Sequence, residues 1–358
     1  MSMANEPAEV TLELEPERRV DVIDVSQLVS ERFPGFFEDY EKSLFCSYHT
    51  TAGYFEQSFV NRLGHNPQAV EAFVGSFTKL FPADAGYRHD QMHLRDELSE
   101  EQKEVEPRNA DSHLTFIGCG LENCVTYLNH PNHPVYFVEL DGTNGADRRK
   151  RRTSVLGFNR DEVVDRFSLE IPVSAHPIDS INLWDPALGL YDRLHELVRI
   201  HGMSRGRIDI SLHPGERHTG LTVNEYETLL MRHDLVDVLR NPIRFMAQKG
   251  RNMLRDPRAI PEKAKDYAKY DLVRVVNEFI DAMGLSESLI ERIIDKFLQV
   301  PASRFLRMKR GVSLMVNTGA ETAPGRIISG TYQSPILVQW RKADRGARTV
   351  EVSYTRFE

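Results

Sequence analysis

Residues 44–59 read LFCSYHTTAGYFEQSF. Leu44 to Tyr48 form an apolar, β-prone run, and His49, Thr50, Thr51, Ala52 and Gly53 follow it as a turn. Residues 205–227, RGRIDISLHPGERHTGLTVNEYE, offer the same sequence of events: an alternating strand, a polar turn, then a second β-prone run. The chain around both stretches follows one order. NPQAVEAFVGSFTKLF (66–81) predicts a helix, with Asn66 as N-cap, Pro67 at the first helical position and Val70, Phe73, Val74, Phe77 and Leu80 on one face. SESLIERIIDKFLQV (286–300) occupies its place in the second half, and both follow a glycine and end in a proline. RDELSEEQKEVEPRNAD (95–111) reads as a polar loop. HLTFIG (113–118) and VYFVEL (135–140) read as strands, and the DGTNGADRRKRR turn (141–152) leads to TSVLGF.

In the second half, GVSLMVNTG (311–319) matches SHLTFIG, and SPILVQWRKADRGARTVEVSYTRF (334–357) matches the hairpin region 133–158. The shared order predicts an internal duplication. An acidic tail would cover 1–20, a first domain 21–165, a linker 166–204 and a second domain 205–358 with a helical insert over 228–283. The class expected is α+β: two tandem β-sandwich domains with helices packed on each.

The 358 residues carry a net charge of −8, which argues against general nucleic-acid binding. No run of 18 apolar residues exists, so no membrane-spanning helix is expected. The acidic start lacks a signal-peptide pattern, and Cys46, Cys119 and Cys124 include no CxxC pair, so reduced thiols and a cytoplasmic location are expected. P-loop, GxGxxG, HExxH and GxSxG strings are missing. The arginines of DRRKRR (147–152) read as a solvated hairpin tip.

Three histidines stand at the ends of expected elements: His49, His89 and His113. Neutral imidazoles can ligate a metal, and three leave one position open for water or substrate. Their spacing of 40 and 24 residues is no local motif, and turn histidines are the plain alternative.

HTTAG (49–53), YRHD (87–90), DSHLTFIG (111–118) and GTYQSPILVQW (330–340), in this order, resemble the YjbQ-like family, whose members are labelled secondary thiamine-phosphate synthases. The family pattern is about one half of this chain long. The resemblance implies a divalent metal, zinc above all, on His49, His89 and His113. It implies hydroxyls from Thr50 and Thr51 beside the ion, and Asp90 and Asp111 as acceptors that orient the imidazoles. Glu56 is the acid nearest the turn and a candidate general base. The implied activity is a metal-dependent enzyme, transferase or hydrolase, acting on a small phosphorylated or heterocyclic metabolite, in a homo-oligomer such as a trimer. The alternatives are a non-catalytic binding or scaffold protein, and a biosynthetic enzyme whose substrate is unrelated to thiamine.

The halves divide the pattern. LTVNE (221–225) and GTYQ (330–333) lie in the second half, whereas the histidines lie in the first. Counting back from Asn224 and Glu225 puts Arg217, with His218 beside it, at the place of His49; Arg307 falls at that of His89 and Ser313 at that of His113. Arg307, Tyr332 and Gln333 are candidates to line a second, metal-free pocket, or Tyr332 and Gln333 to reach the first site; if Glu225 or Glu227 neutralises the arginines, the second half is a structural partner only.

Overall fold

The computed structural model describes residues 6–144, 147–240, 306–318 and 325–358. It is a mixed α/β structure with several sheets. In the first half run β1 (Ala8–Leu14), β2 (Asp21–Asp24), α1 (Val25–Arg32), α2 (Phe36–Asp39), β3 (Lys42–Ser47), β4 (Ala52–Tyr54), α3 (Gln57–Arg62), α4 (Pro67–Leu80), α5 (Glu100–Val105) and α6 (Ala110–Cys119). Then come β5 (Cys124–Leu128), β6 (Tyr136–Glu139), the hairpin β7 (Thr143–Asn144) and β8 (Asp147–Arg148), and β9 (Arg151–Phe158). The second half has β10 (Asp161–Pro172), β11 (Asp179–Asn182), α7 (Leu190–Ile200), β12 (Gly206–Leu212), β13 (Thr219–Asn224) and α8 (Leu235–Arg240). It closes with β14 (Gly311–Asn317), β15 (Arg326–Ile328), β16 (Ser334–Gln339) and β17 (Ala347–Phe357).

The larger sheet of the first half has the order β1-β9-β3-β5, and that of the second half β10-β17-β12-β14-β15. The smaller sheets run β2-β6-β4 and β11-β16-β13. All these pairings are antiparallel, and the strands of these two first-half sheets, β7 and β8 apart, follow the same order as β10-β17-β12-β14 and β11-β16-β13. Register repeats too: Ala52 faces Glu139 and Gly53 faces Val138, as Thr219 faces Gln339 and Gly220 faces Val338.

Alternating side chains turn one face of each sheet inward. Leu12, Leu14, Phe45 and Val155 from the larger sheet of the first half pack with Tyr54 and Phe137 from the smaller. A separate cluster crosses the halves. Val70, Val74 and Phe77 of α4 and Leu114, Phe116 and Ile117 of α6 pack with Ile336 and Val338 of β16 and Leu235 and Val238 of α8. The Gly330 turn sits so tightly against the first half that a Cβ there would overlap the Tyr48 carbonyl oxygen.

Helix α4 forms as its caps dictate, with the Asn66 side chain accepting from the Ala69 N–H. Other expectations are corrected. HLTFIG is helical, not a strand. Gly120 closes α6 in the left-handed conformation, and all ten residues are buried, so no polar stripe marks the helical period. The match of GVSLMVNTG to SHLTFIG therefore fails: β14 pairs with β12 as β5 pairs with β3. The polar loop 95–111 contains α5, started by a reciprocal Ser99–Gln102 capping box. Ala8–Leu14 of the expected tail is a sheet strand. The expected linker 166–204 holds most of β10 along with β11 and α7, and β10 pairs with β17 over its length. Of the expected insert, residues 228–240 form a π-helical turn (Leu230–Asp234) and α8; its remainder and the helix expected over 286–300 lie outside the described residues.

Candidate functional site

Where α6 of the first half meets the end of β13, two of the three singled-out histidines come together. The rings of His89 and His113 lie edge to face with centroids 5.5 Å apart, and both residues are 1 % exposed. His113 is carried by the buried α6; His89 is fixed by its backbone N–H, which donates to Asp234 Oδ2 at 3.0 Å.

Two asparagines set the proton positions. Asn224 Nδ2 donates to the Thr50 carbonyl at 2.9 Å, and its Oδ1 accepts from the Glu225 N–H at 2.9 Å, so the amide has one orientation. That Oδ1 lies 2.7 Å from His113 Nδ1, which must therefore carry the hydrogen. The lone pair of His113 is left on Nε2, with Glu225 Oε2 at 3.7 Å, beyond hydrogen-bond range. Asn109 Nδ2 donates to Asp141 Oδ2 at 2.9 Å and so turns its Oδ1 to His89 Nε2 at 3.3 Å. The other nitrogen of His89, Nδ1, lies 2.9 Å from Glu227 Oε2. Facing an acceptor on each side, His89 carries both protons.

The electrostatics agree with these assignments. Burial first, and the charge of His89 second, push His113 down to about 3. Burial also works to lower His89, but the Glu227 hydrogen bond and the Asp90 charge outweigh it and leave the imidazole raised. Burial likewise opposes the charge on Glu227, yet the His89 bond and the N–H groups of Leu229 and Leu230 hold it down at about 2. Glu225 is raised by burial, with His89 and Arg95 opposing. The site is thus a paired imidazolium beside a neutral imidazole and an unpaired carboxylate.

His49 has a ring partner of its own. Its Nε2 accepts from the Arg152 N–H at 2.8 Å, and burial, then Arg151, Arg152 and Arg149, push it down to about 3. The expected zinc set is not assembled. His89 Nδ1 is engaged by Glu227, the Nε2 of His49 accepts from the Arg152 N–H, and the cations around His49 repel an ion. Among the described residues no three His, Cys, Asp or Glu side chains are placed to hold a metal.

The other expected residues divide in the same way. Thr50 joins the pair only through its carbonyl, and Thr51 Oγ1 accepts from Arg151 at 3.3 Å. Asp90 accepts the Ala110 N–H and Asp111 pairs with Arg19, so neither orients an imidazole; Glu227 does so instead. Burial lifts Asp90 to about 6 and Asp111 to about 7. Glu56 lies 3.4 Å from Lys309 rather than at the histidines. Gln333 does cross to the first half, its Nε2 donating to the carbonyls of Ser47 at 2.9 Å and His49 at 3.0 Å, while Tyr332 is exposed.

Arg307 packs against the first half. Its guanidinium lies over the Phe59 ring at 4.0 Å and its N–H donates to the Gly118 carbonyl. Ser313 is on β14 and bonds Asp209. Arg217 donates to the Pro214 and Glu216 carbonyls, and Glu216 Oε1 accepts the Thr349 N–H at 2.8 Å, a bond like the one His49 accepts from Arg152. Six turn residues separate β12 from β13 against four between β3 and β4, which displaces a count along the chain. Nor is DRRKRR all solvated, since Arg149 pairs with Asp141 and buried Arg151 with Glu139.

Asn224, Glu225, Glu227, Asn109 and Arg95 are the site residues that motif reading left unassigned. The LTVNE string held the only signal for two of them, Asn224 and Glu225.

No family model and no curated protein matches this chain. Solved structures similar to it include a YbjQ-like protein of unknown function from Sulfolobus solfataricus, at 14% identity over 55% of this chain and 99% of that one, with a TM-score of 0.29. An uncharacterized conserved protein of the yjbq/upf0047 family from Clostridium acetobutylicum is similar at 14% identity over 53% of this chain and 99% of that one, TM-score 0.26. A conserved hypothetical protein from Thermus thermophilus is similar at 15% identity over 54% of this chain and 99% of that one, TM-score 0.25. No helix among the described residues is long and apolar enough to cross a membrane.

Proposed function

We propose that this chain is an enzyme whose proton-transfer site lies between its two halves, at His113, Glu225 and His89. The observation that carries the reading is a pair of buried imidazoles 5.5 Å apart, one bonded to the Glu227 carboxylate and the other to the Asn224 amide oxygen. Environments that drive neighbouring titratable groups apart are how one site holds both an acid and a base. In this reading the His113 lone pair and the Glu225 carboxylate exchange a proton with the substrate. His89, paired with Glu227, is a positioning residue whose charge helps to keep His113 neutral. Asn224 and Asn109 hold the tautomers and are positioning residues.

The same reading takes the halves as two copies of one unit. Matching strand orders support it, as does the shared acceptor role of His49 and Glu216. Each half then supplies what the other lacks: the histidines come from the first, and Asn224, Glu225 and Glu227 from the second. The sequence resemblance points to a small phosphorylated or heterocyclic metabolite, and of these the heterocyclic class is the one to assay first. The reading expects any turnover found to fall at least 100-fold in His113→Asn and to persist in His49→Gln. Turnover undiminished in a folded His113→Asn protein would end it.

A further inference from the structure

We propose that His113 and Glu225 together recognise a protonated amine or amidine group, so that the site takes a cationic rather than an anionic substrate. The proposal rests on the reading of His113 as the lone-pair-bearing member of the pair.

His113 Nε2 makes no hydrogen bond among the described residues, although its residue is 1 % exposed. The atom is aimed at Glu225 Oε2, 3.7 Å away. The Glu225 side chain is 21 % exposed and so opens the pair to the outside. A lone pair and a carboxylate side by side are two acceptors with no donor between them. Such an arrangement is completed by a group that brings N–H donors and positive charge, as an ammonium or amidinium does.

The cations nearby do not alter this balance. Arg95 is buried, and its guanidinium is committed to Glu97 Oε1 at 2.6 Å and Glu106 Oε1 at 3.2 Å. His89 is paired with Glu227. Among the described residues Glu225 has no Lys or Arg ion-pair partner; its one approach is His113 at 3.7 Å. A phosphate or carboxylate entering here would meet a carboxylate and a lone pair, and both repel it.

The test is titration of the full-length protein with benzamidine, methylammonium and inorganic phosphate, followed by the 15N signals of the histidine rings. Benzamidine should shift the His113 Nε2 signal saturably and bind at least 10-fold more weakly to Glu225→Gln, whose fold is checked by circular dichroism. Phosphate should leave His113 unmoved. Three results would overturn the proposal: no shift with either cation, equal binding to Glu225→Gln, or a saturable His113 shift with phosphate. A spectrum that shows His113 with its free lone pair, but no response to cations, would sink this proposal alone. A protonated His113 in the free protein would sink the proton-transfer reading as well.

Discussion

Asn224 Oδ1 lies 2.7 Å from His113 Nδ1 while the amide nitrogen of the same residue holds the Thr50 carbonyl. One side chain from the second half therefore sets the tautomer of a first-half histidine and ties down the turn beside it. Asn224→Ala should leave a buried N–H and a carbonyl without partners. The expected cost is about 1–3 kcal/mol in denaturant unfolding, together with a His113 ring that populates both tautomers. An unchanged 15N pattern in the variant would show that Asn224 does not set the tautomer.

Acidification separates two kinds of group. His113 and His49 are held near 3 in the folded chain, so the unfolded chain takes up their protons first as pH falls below the ordinary histidine value of 6.5. Their stabilisation is complete above 6.5 and is lost as pH falls. Asp111, lifted to about 7, behaves oppositely: its contribution is present at acid pH and lost as pH rises through 7. His113→Asn should therefore gain on the unaltered chain as pH drops from 6.5 to 4, by up to about 1.4 kcal/mol per pH unit. Asp111→Asn should lose ground over the same range. Parallel stability curves for all three proteins would contradict these assignments.

Glu139 is wholly buried and grips Arg151, and at the matching register position Gln339 accepts from Arg348 at 3.2 Å. Glu139→Ala leaves an uncompensated buried guanidinium and should cost about 3–5 kcal/mol. Glu139→Gln should cost visibly less, because an amide already fills this role in the other half. Equal losses in thermal unfolding would argue that the two positions are not comparable.

Arg307→Ala should cost about 0.5–2 kcal/mol through loss of its stacking on Phe59. It should leave the 15N signals of His89 and His113 where they are. Movement of those signals would tie Arg307 to the site, as the count along the sequence had suggested.

What was legible depended on how far each signal reached. Helix α4 announced itself through Asn66, Pro67 and an apolar stripe, all within a few residues. Strand β1 carries Leu12 and Leu14 inward in alternation, yet its acidic neighbours masked the pattern. The helix α6 is buried on every side and so shows no face to read. His89 and His113 were found through motifs. Their partners Glu227 and Asn224 are 138 and 111 residues away, a distance no local spacing encodes. His49 looked equivalent to them because it ends a strand, but the Arg152 N–H had already taken its lone pair.

The central claim is the opposite protonation of His89 and His113, and 15N spectroscopy of the histidine rings at pH 7 measures it directly. The account predicts His89 with both nitrogens protonated and His113 as the neutral tautomer with its hydrogen on Nδ1. A neutral His89, or a His113 that is protonated or carries its hydrogen on Nε2, would contradict it.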